Sequence, residues 1–286
     1  MMLTILIGLG AVLLISALSR LLLSVKEMNK EEEKESGFFG RCVISQTMGD
    51  KEIQSDLAGF ESSSAGTLAV LTDGMGKANT GKVCAQTAMD CVLDAYQPYQ
   101  VLHNPEYFFK TAFYEANQRV QKTLGERRGG ACLAAVFVNG FTFHYGLAGD
   151  IRIALFRNQE LIPISKGQTL NVLALNAYQD GVLSRQEAIW TMEEDRIWNY
   201  LGVDGFRDIE ICDQPIRLKQ GDIIVMLTKG IFDVLSWAET EDVLLRDYTL
   251  KEKADNLVME AERKKGMDKE NGSVVLIKAE VSDEKN

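Results

Sequence analysis

The stretch Thr67-Leu-Ala-Val-Leu-Thr-Asp73-Gly-Met-Gly76 decides how this chain is read. Its first six residues are aliphatic or β-branched and contain no Gly or Pro, the pattern of a buried strand. An acid and a glycine turn come next. A carboxylate just past the end of a buried strand stands on a rigid support and faces open space, a good place to hold a metal ion or a phosphate. The same residues are equally what an ordinary Asp-Gly hairpin turn would use. The choice rests on the rest of the chain.

Downstream, Asn79 to Tyr96 has one broad apolar face and predicts a helix. Asn104 followed by Pro105 marks the start of a second helix, with Phe109, Phe113, Ala116, Val120 and Leu124 at helical spacing. The period then changes. Ala131 to Val138 reads as a strand ending in an Asn139-Gly140 hairpin, and the alternating runs from Phe141 and from Ile151 read as two more strands. Lys166 to Gly205 is irregular, with a helix candidate at Ser184 to Trp190, and reads as an insert or flap. Ile223 to Thr228 is another buried strand. Thr249 with Glu252 forms a capping box for a last helix, and Ser273 to Ala279 closes the chain. Upstream, Phe39 to Ser45 reads as a strand, Met48 to Asp56 as a polar turn and Glu61 to Gly66 as a loop. The order is that of an α+β domain built on an antiparallel meander, without βαβ repeats.

Residues 2–18 carry no charge, and with Leu21 to Leu23 the apolar run is long enough to span a bilayer. Positive charges come only afterwards, at Arg20, Lys26, Lys30 and Lys34, so the positive-inside bias places the remainder of the chain in the cytoplasm. A cleaved signal peptide would want basic residues ahead of the run. The expected organisation is a transmembrane anchor over 1–25, a charged linker over 26–36 and one soluble domain over 37–286, a single-pass protein of the cell membrane. Five widely spaced cysteines and no Cys-x-x-Cys argue for reduced thiols and against a zinc site. A net charge of −10 disfavours nucleic acid as a partner.

Acids recur at turns after apolar strands: Asp73-Gly, Gly149-Asp150, Gly221-Asp222, Gly230 with Asp233, and Glu270-Asn271. In this order they resemble the metal-dependent protein phosphatases of the PPM or type 2C family, over roughly residues 38–280. The family's Asp-Gly-Met-Gly-Gly is similar to Asp73-Gly-Met-Gly-Lys77. Its Gly-Asp-Ser-Arg is similar to Gly149-Asp-Ile-Arg152. Its Ser-Asp-Gly-Leu-x-Asp is similar to Thr228-Lys-Gly-Ile-Phe-Asp233, and its Asp-Asn-x-Thr to Glu270-Asn-Gly-Ser273.

The resemblance implies a four-layer α-β-β-α sandwich of two antiparallel sheets. It also implies hydrolysis of phosphoserine and phosphothreonine by water held between two Mn²⁺ or Mg²⁺ ions, which lower its pKa and neutralise the phosphoryl oxygens. By the same resemblance, Asp73 bridges both metals, the Gly74 carbonyl assists, Asp150 and Asp233 serve a third, weaker ion, and Glu270 stands for the last ligand Asp. Asp73 and Lys51 would be the catalytic pair, with Lys51 where the family binds phosphate through an Arg.

The departures are as informative. Lys51 is a point charge without the bidentate fork. One metal-ligating carboxylate has become Ser55, and the metal-ligating Asp of Ser-Asp-Gly has become Lys229. Together these shift the site by about three units of positive charge; an ammonium about 4 Å from a dication costs roughly 8 kcal/mol at an effective dielectric near 20. The expectation is a degenerate centre holding one ion or none, with the Lys229 ammonium in a metal's place against Asp73 and Glu270. The chain then reads as a membrane-anchored pseudophosphatase that signals by binding a protein partner or phosphoprotein. The alternatives are an active metal-dependent phosphatase with an altered site, and a structural subunit of a membrane complex.

Overall fold

The computed structural model describes residues 41–192, 196–265 and 268–279. The proposed anchor at 1–25 and linker at 26–36 lie outside these. Among the described residues no helix is long and apolar enough to cross a membrane.

In chain order the strands are β1 (Arg41–Thr47), β2 (Leu57–Ser63), β3 (Gly66–Gly76), β4 (Gly129–Asn139), β5 (Thr142–Ala148), β6 (Arg152–Arg157), β7 (Glu160–Pro163), β8 (Glu210–Ile211), β9 (Ile216–Arg217), β10 (Ile223–Leu227) and β11 (Gly272–Lys278). The helices are α1 (Thr80–Asp94), α2 (Pro98–His103), α3 (Pro105–Leu124), α4 (Leu170–Gln179), α5 (Arg185–Met192), α6 (Lys229–Phe232), α7 (Trp237–Leu245) and α8 (Leu250–Arg263). One sheet runs β1-β11-β10-β6-β7 and the other β2-β3-β4-β5-β8, with β9 also beside β5. All pairings are antiparallel.

The layers follow from side-chain alternation. On β3, Ala69 and Leu71 point between the sheets, where they meet Val136, Leu147, Met226 and Val275. Leu68 and Val70 point the other way, onto Phe109, Phe113 and Cys84 of the helices. Both faces of β3 are therefore buried, which is why its sequence is a continuous apolar run and not an alternating one. On the far side, Val225, Leu227 and Leu276 pack against Leu257, Val258 and Ala261 of α8. Helix, sheet, sheet and helix thus stack as expected for the four-layer sandwich.

The helix starts match their sequence signals. The Asn104 side chain accepts from the Tyr107 N–H at 3.1 Å, with Pro105 at the first helical position. Thr249 and Glu252 form the capping box of α8. At the other hairpin signal, Gly140 takes a left-handed φ of 52° between β4 and β5, where glycine is unstrained.

Three expectations are corrected. β3 does not end before Asp73: it runs on to Gly76, with Asp73 opposite Cys132 and Gly74 opposite Ala131 on β4. β2 replaces the loop expected at 61–66, pairing from Leu57↔Thr72 to Ser63↔Gly66. As an edge strand carrying Gly59, Glu61, Ser62 and Ser63, it has no apolar run to announce it. The 166–205 insert is more regular than its sequence suggests, with α4 and α5 as a helical hairpin. Its return limb is tied to β4, where Ala131 and Leu201 exchange backbone bonds at 3.0 and 2.9 Å.

Gly221-Asp222 is the one acid turn that proves remote from the rest. It precedes β10, whereas Lys229 follows it, so the two stand at opposite ends of the strand. Asp222 is buried and structural. Arg157 Nε donates to its two oxygens at 3.2 and 3.0 Å, and the Lys219 N–H adds a bond at 2.7 Å.

Candidate functional site

The remaining motifs gather at one end of the sandwich, around a cleft of about 640 Å³ lined by Lys51, Ser55, Asp73, Gly74, Lys229 and Glu270 together with Asp56 and Asn271. Asp73 reaches it from β3, Lys229 from the turn after β10, and Glu270 and Asn271 from the segment before β11. Asp150 and Asp233, expected as ligands of a third ion, are not on its wall.

Two close backbone approaches build the floor. A Cβ on Gly74 would lie 2.2 Å from the Gly81 carbonyl oxygen, and one on Gly81 would lie 2.6 Å from that of Gly74. These two glycines let the first turn of α1 cross β3 beside Asp73. Gly230 packs equally hard on the segment before β11, where a Cβ would stand 2.1 Å from the Asn271 carbonyl oxygen.

Hydroxyl and amide groups then stitch the motifs together. Thr228 Oγ1 and Ser273 Oγ donate to the same oxygen of Asp56 at 2.7 and 3.0 Å. The Ser273 N–H donates to Thr228 Oγ1 at 2.8 Å, and the Ser55 N–H to Asn271 Oδ1 at 2.8 Å. Asp56 was legible only as the residue after Ser55 in the Lys51–Asp56 segment, and the hydroxyls only as motif positions. Their shared role as a scaffold is visible in three dimensions alone.

The charges are arranged differently from the sequence expectation. Lys229 was expected against Asp73 and Glu270. Its Nζ instead pairs with Asp233 at 3.3 Å, one helical turn on in α6, while Lys51 holds Glu270 and Asp268 at 3.1 Å each. The i,i+4 spacing of Lys229 and Asp233 makes theirs the shorter reach. Lys229 still lies close enough for its charge to favour the Asp73 carboxylate.

Asp73 is pushed up to about 6, first by burial and then by the charges of Asp150 and Glu270. Asp56 is raised well above the usual carboxylate range, again by burial and then by Asp73. The two carboxyls share a hydrogen bond that favours a proton on Asp56 and charge on Asp73.

Ser55 and Lys229 line the cleft beside Asp73, while Glu270 and Asp233 are ion-paired to lysines and Asp150 is off the cleft wall. Among the described residues, no three His, Cys, Asp or Glu side chains are placed to hold a metal ion.

The raised Asp73 carboxyl has a consequence for stability. A carboxyl whose folded-state pKa lies above its unfolded value costs the fold stability as pH rises through that window. Asp73→Asn is therefore expected to stabilise the protein at pH 7 by about 1–2 kcal/mol, after discounting for the open cleft. The gain should fade between pH 6 and pH 4, the window set by the raised value of about 6 and the ordinary 3.8. Urea melts at pH 4 and pH 7 check this; an equal gain at both would show that charge relief is not the cause.

No family model matches the sequence. Over 230 residues it is 22% identical to the serine/threonine phosphatase stp of Listeria monocytogenes, covering 78% of this chain and 88% of that protein. The serine/threonine phosphatase of S. agalactiae superposes with a TM-score of 0.73 at 22% identity, over 84% of this chain and 99% of the other. The catalytic domain of the protein phosphatase PstP, solved in complex with two manganese ions, superposes with a TM-score of 0.64 at 19% identity, over 84% and 98%. Motif order, fold and these likenesses agree: the chain is similar to the PPM-type serine/threonine protein phosphatases.

Proposed function

We propose that this protein is a phosphoprotein-binding pseudophosphatase: a PPM-type domain that keeps the cleft and has lost the two-ion centre. The observation that supports this best is the paired state of the carboxylates. Glu270 is engaged by Lys51 and Asp233 by Lys229, so charge that would hold metal is already compensated by lysines. Lys51 and Lys229 also bring two ammonium groups to a wall that carries Glu52, Asp56, Asp73 and Glu270, and those two groups suit a phosphoryl oxygen. Residues 1–25 anchor the domain to the membrane with the cleft on the cytoplasmic side, and the anchored domain acts in signalling by holding a phosphorylated partner.

One observation favours a second reading, an active phosphatase with an altered one-ion site. Asp73 carries the field of Asp150 and Glu270, negative charge that a single cation would relieve.

The test is hydrolysis of an aryl phosphate and a phosphothreonine peptide by the full chain, with and without Mn²⁺, beside Asp73→Asn. The pseudophosphatase reading expects no Mn²⁺-dependent turnover above that control, with the phosphopeptide still bound. Turnover that needs Mn²⁺ and disappears in Asp73→Asn would establish the second reading instead.

A further inference from the structure

A second concavity of about 800 Å³ adjoins the cleft and shares Met75, Gly76, Ile197 and Lys229 with it. Its wall carries five cations, Lys77, Arg127, Arg128, Arg196 and Lys229, and no Asp or Glu among the described residues. That is a pronounced local imbalance in a chain with 41 acids and 31 bases. Like charges brought together on one wall repel each other; Asp233 offsets Lys229, and an acidic ligand would offset Lys77 and Arg128.

The groove is assembled from four separate parts of the chain, one of them Lys229 at the start of α6. Lys77 comes from the end of β3, Arg127 and Arg128 from the turn between α3 and β4, and Arg196 and Tyr200 from the return limb of the insert. The backbone behind them is well held. The Arg127 guanidinium donates to the Thr123 and Leu124 carbonyls at the end of α3, at 2.6 and 3.3 Å. The Arg196 carbonyl accepts from the Leu170 N–H at 2.8 Å, and Tyr200 lies against Gly130. Lys77 and Arg128 are exposed and form no ion pair with a described residue. Met75, Ile197 and Tyr200 add apolar surface between the charges.

We infer that this groove binds acidic residues flanking the phosphorylated residue of a partner peptide, so that the protein selects phosphopeptides with acidic neighbours. Cations over an apolar floor fit a chain that alternates carboxylates with apolar side chains, and the shared wall makes groove and cleft one continuous track. The inference rests on the phosphoryl-binding reading above and gives it a sequence preference. A small phosphate ester would occupy the cleft alone and leave the exposed Lys77 and Arg128 unmet.

Four peptides separate the two ideas: a phosphothreonine peptide with alanine flanks, the same with glutamate flanks, and the unphosphorylated form of each. Binding to the full chain in mild detergent is followed by fluorescence anisotropy. In the wild type, glutamate flanks are expected to tighten binding about 10-fold at low salt and much less at 0.5 M salt. Lys77→Glu with Arg128→Glu should abolish the flank effect and leave the phosphate effect intact. Lys51→Ala should do the reverse. Lys77→Gln with Arg128→Gln, a gentler change at the same exposed sites, should at least halve the flank effect. Equal affinity for glutamate and alanine flanks in the wild type would overturn the inference, as would a flank effect that survives both double variants. In the wild type, a flank effect with no phosphate effect would overturn the phosphoryl-binding reading and leave the groove standing.

Discussion

A Lys229→Asp, Ser55→Glu double variant is expected to acquire Mn²⁺ binding at least about 100-fold tighter than the wild type, since it shifts the cleft by three charge units toward negative. Each contact between a unit charge and a dication at about 4 Å is worth several kcal/mol at an effective dielectric near 20, and desolvation removes part of it. The change also releases Asp233, now paired with Lys229, and adds a carboxylate beside Asp73, where Ser55 lines the same wall. Calorimetric titration with Mn²⁺ gives the affinity directly, and aryl phosphate hydrolysis then shows whether a bound ion suffices for turnover. The scaffold favours success, because Ser55 is fixed through its own N–H to Asn271 and Thr228 through Asp56 and Ser273. A folded double variant that binds Mn²⁺ no better than the wild type would show that the geometry of the cleft, and not its charge, bars the metal.

Gly230→Ala is expected to cost about 3–4 kcal/mol of stability, seen as a fall in the urea midpoint at unchanged slope. The new methyl would sit 2.1 Å from the Asn271 carbonyl oxygen and 2.8 Å from that of Glu270. Both are backbone atoms, so relief requires moving the whole segment before β11. Separating it from α6 would also strain the Thr228–Ser273–Asp56 hydrogen bonds, so phosphopeptide binding should weaken with stability. Gly140→Ala is the control. It has a left-handed φ of 52° but nothing within 4 Å of a new methyl, and should cost only about 1 kcal/mol. Equal losses at the two positions would mean that backbone conformation, and not the contact, explains Gly230.

The two substitutions bear on different halves of one motif. In Thr228-Lys229-Gly230, the hydroxyl and the glycine hold neighbouring segments together, while the middle residue faces the cleft. The side chain at position 229 can therefore vary without disturbing the fold, whereas Gly230 cannot be changed so cheaply. The same division holds at Glu270-Asn271, where Asn271 bonds to Ser55 and to the Met48 carbonyl while Glu270 turns out to Lys51. The bonds that support this cleft do not pass through the Lys229 and Glu270 side chains that line it.

The sequence by itself determined the elements whose signals are local. The Asn104-Pro105 and Thr249–Glu252 helix starts, the Asn139-Gly140 hairpin and the buried runs of β3, β4 and β10 depend on neighbours a few residues apart. The order of motifs along the chain was enough to identify the fold and to bring Lys51, Ser55, Asp73, Gly74, Lys229 and Glu270 to one cleft. Only the tertiary structure decided how those side chains pair. Which lysine meets which carboxylate depends on reach and angle across segments more than 200 residues apart, as for Lys51 with Glu270. No local pattern encodes that. The edge strand β2 was hidden for a related reason: it buries too little apolar surface to show a period, and it is held by its partner β3. The cationic groove is the extreme case. Lys77 ends the Asp73 motif, Arg127, Arg128 and Arg196 belong to none, and the four come from three distant stretches, so their common wall exists only after the sheets and the insert have packed.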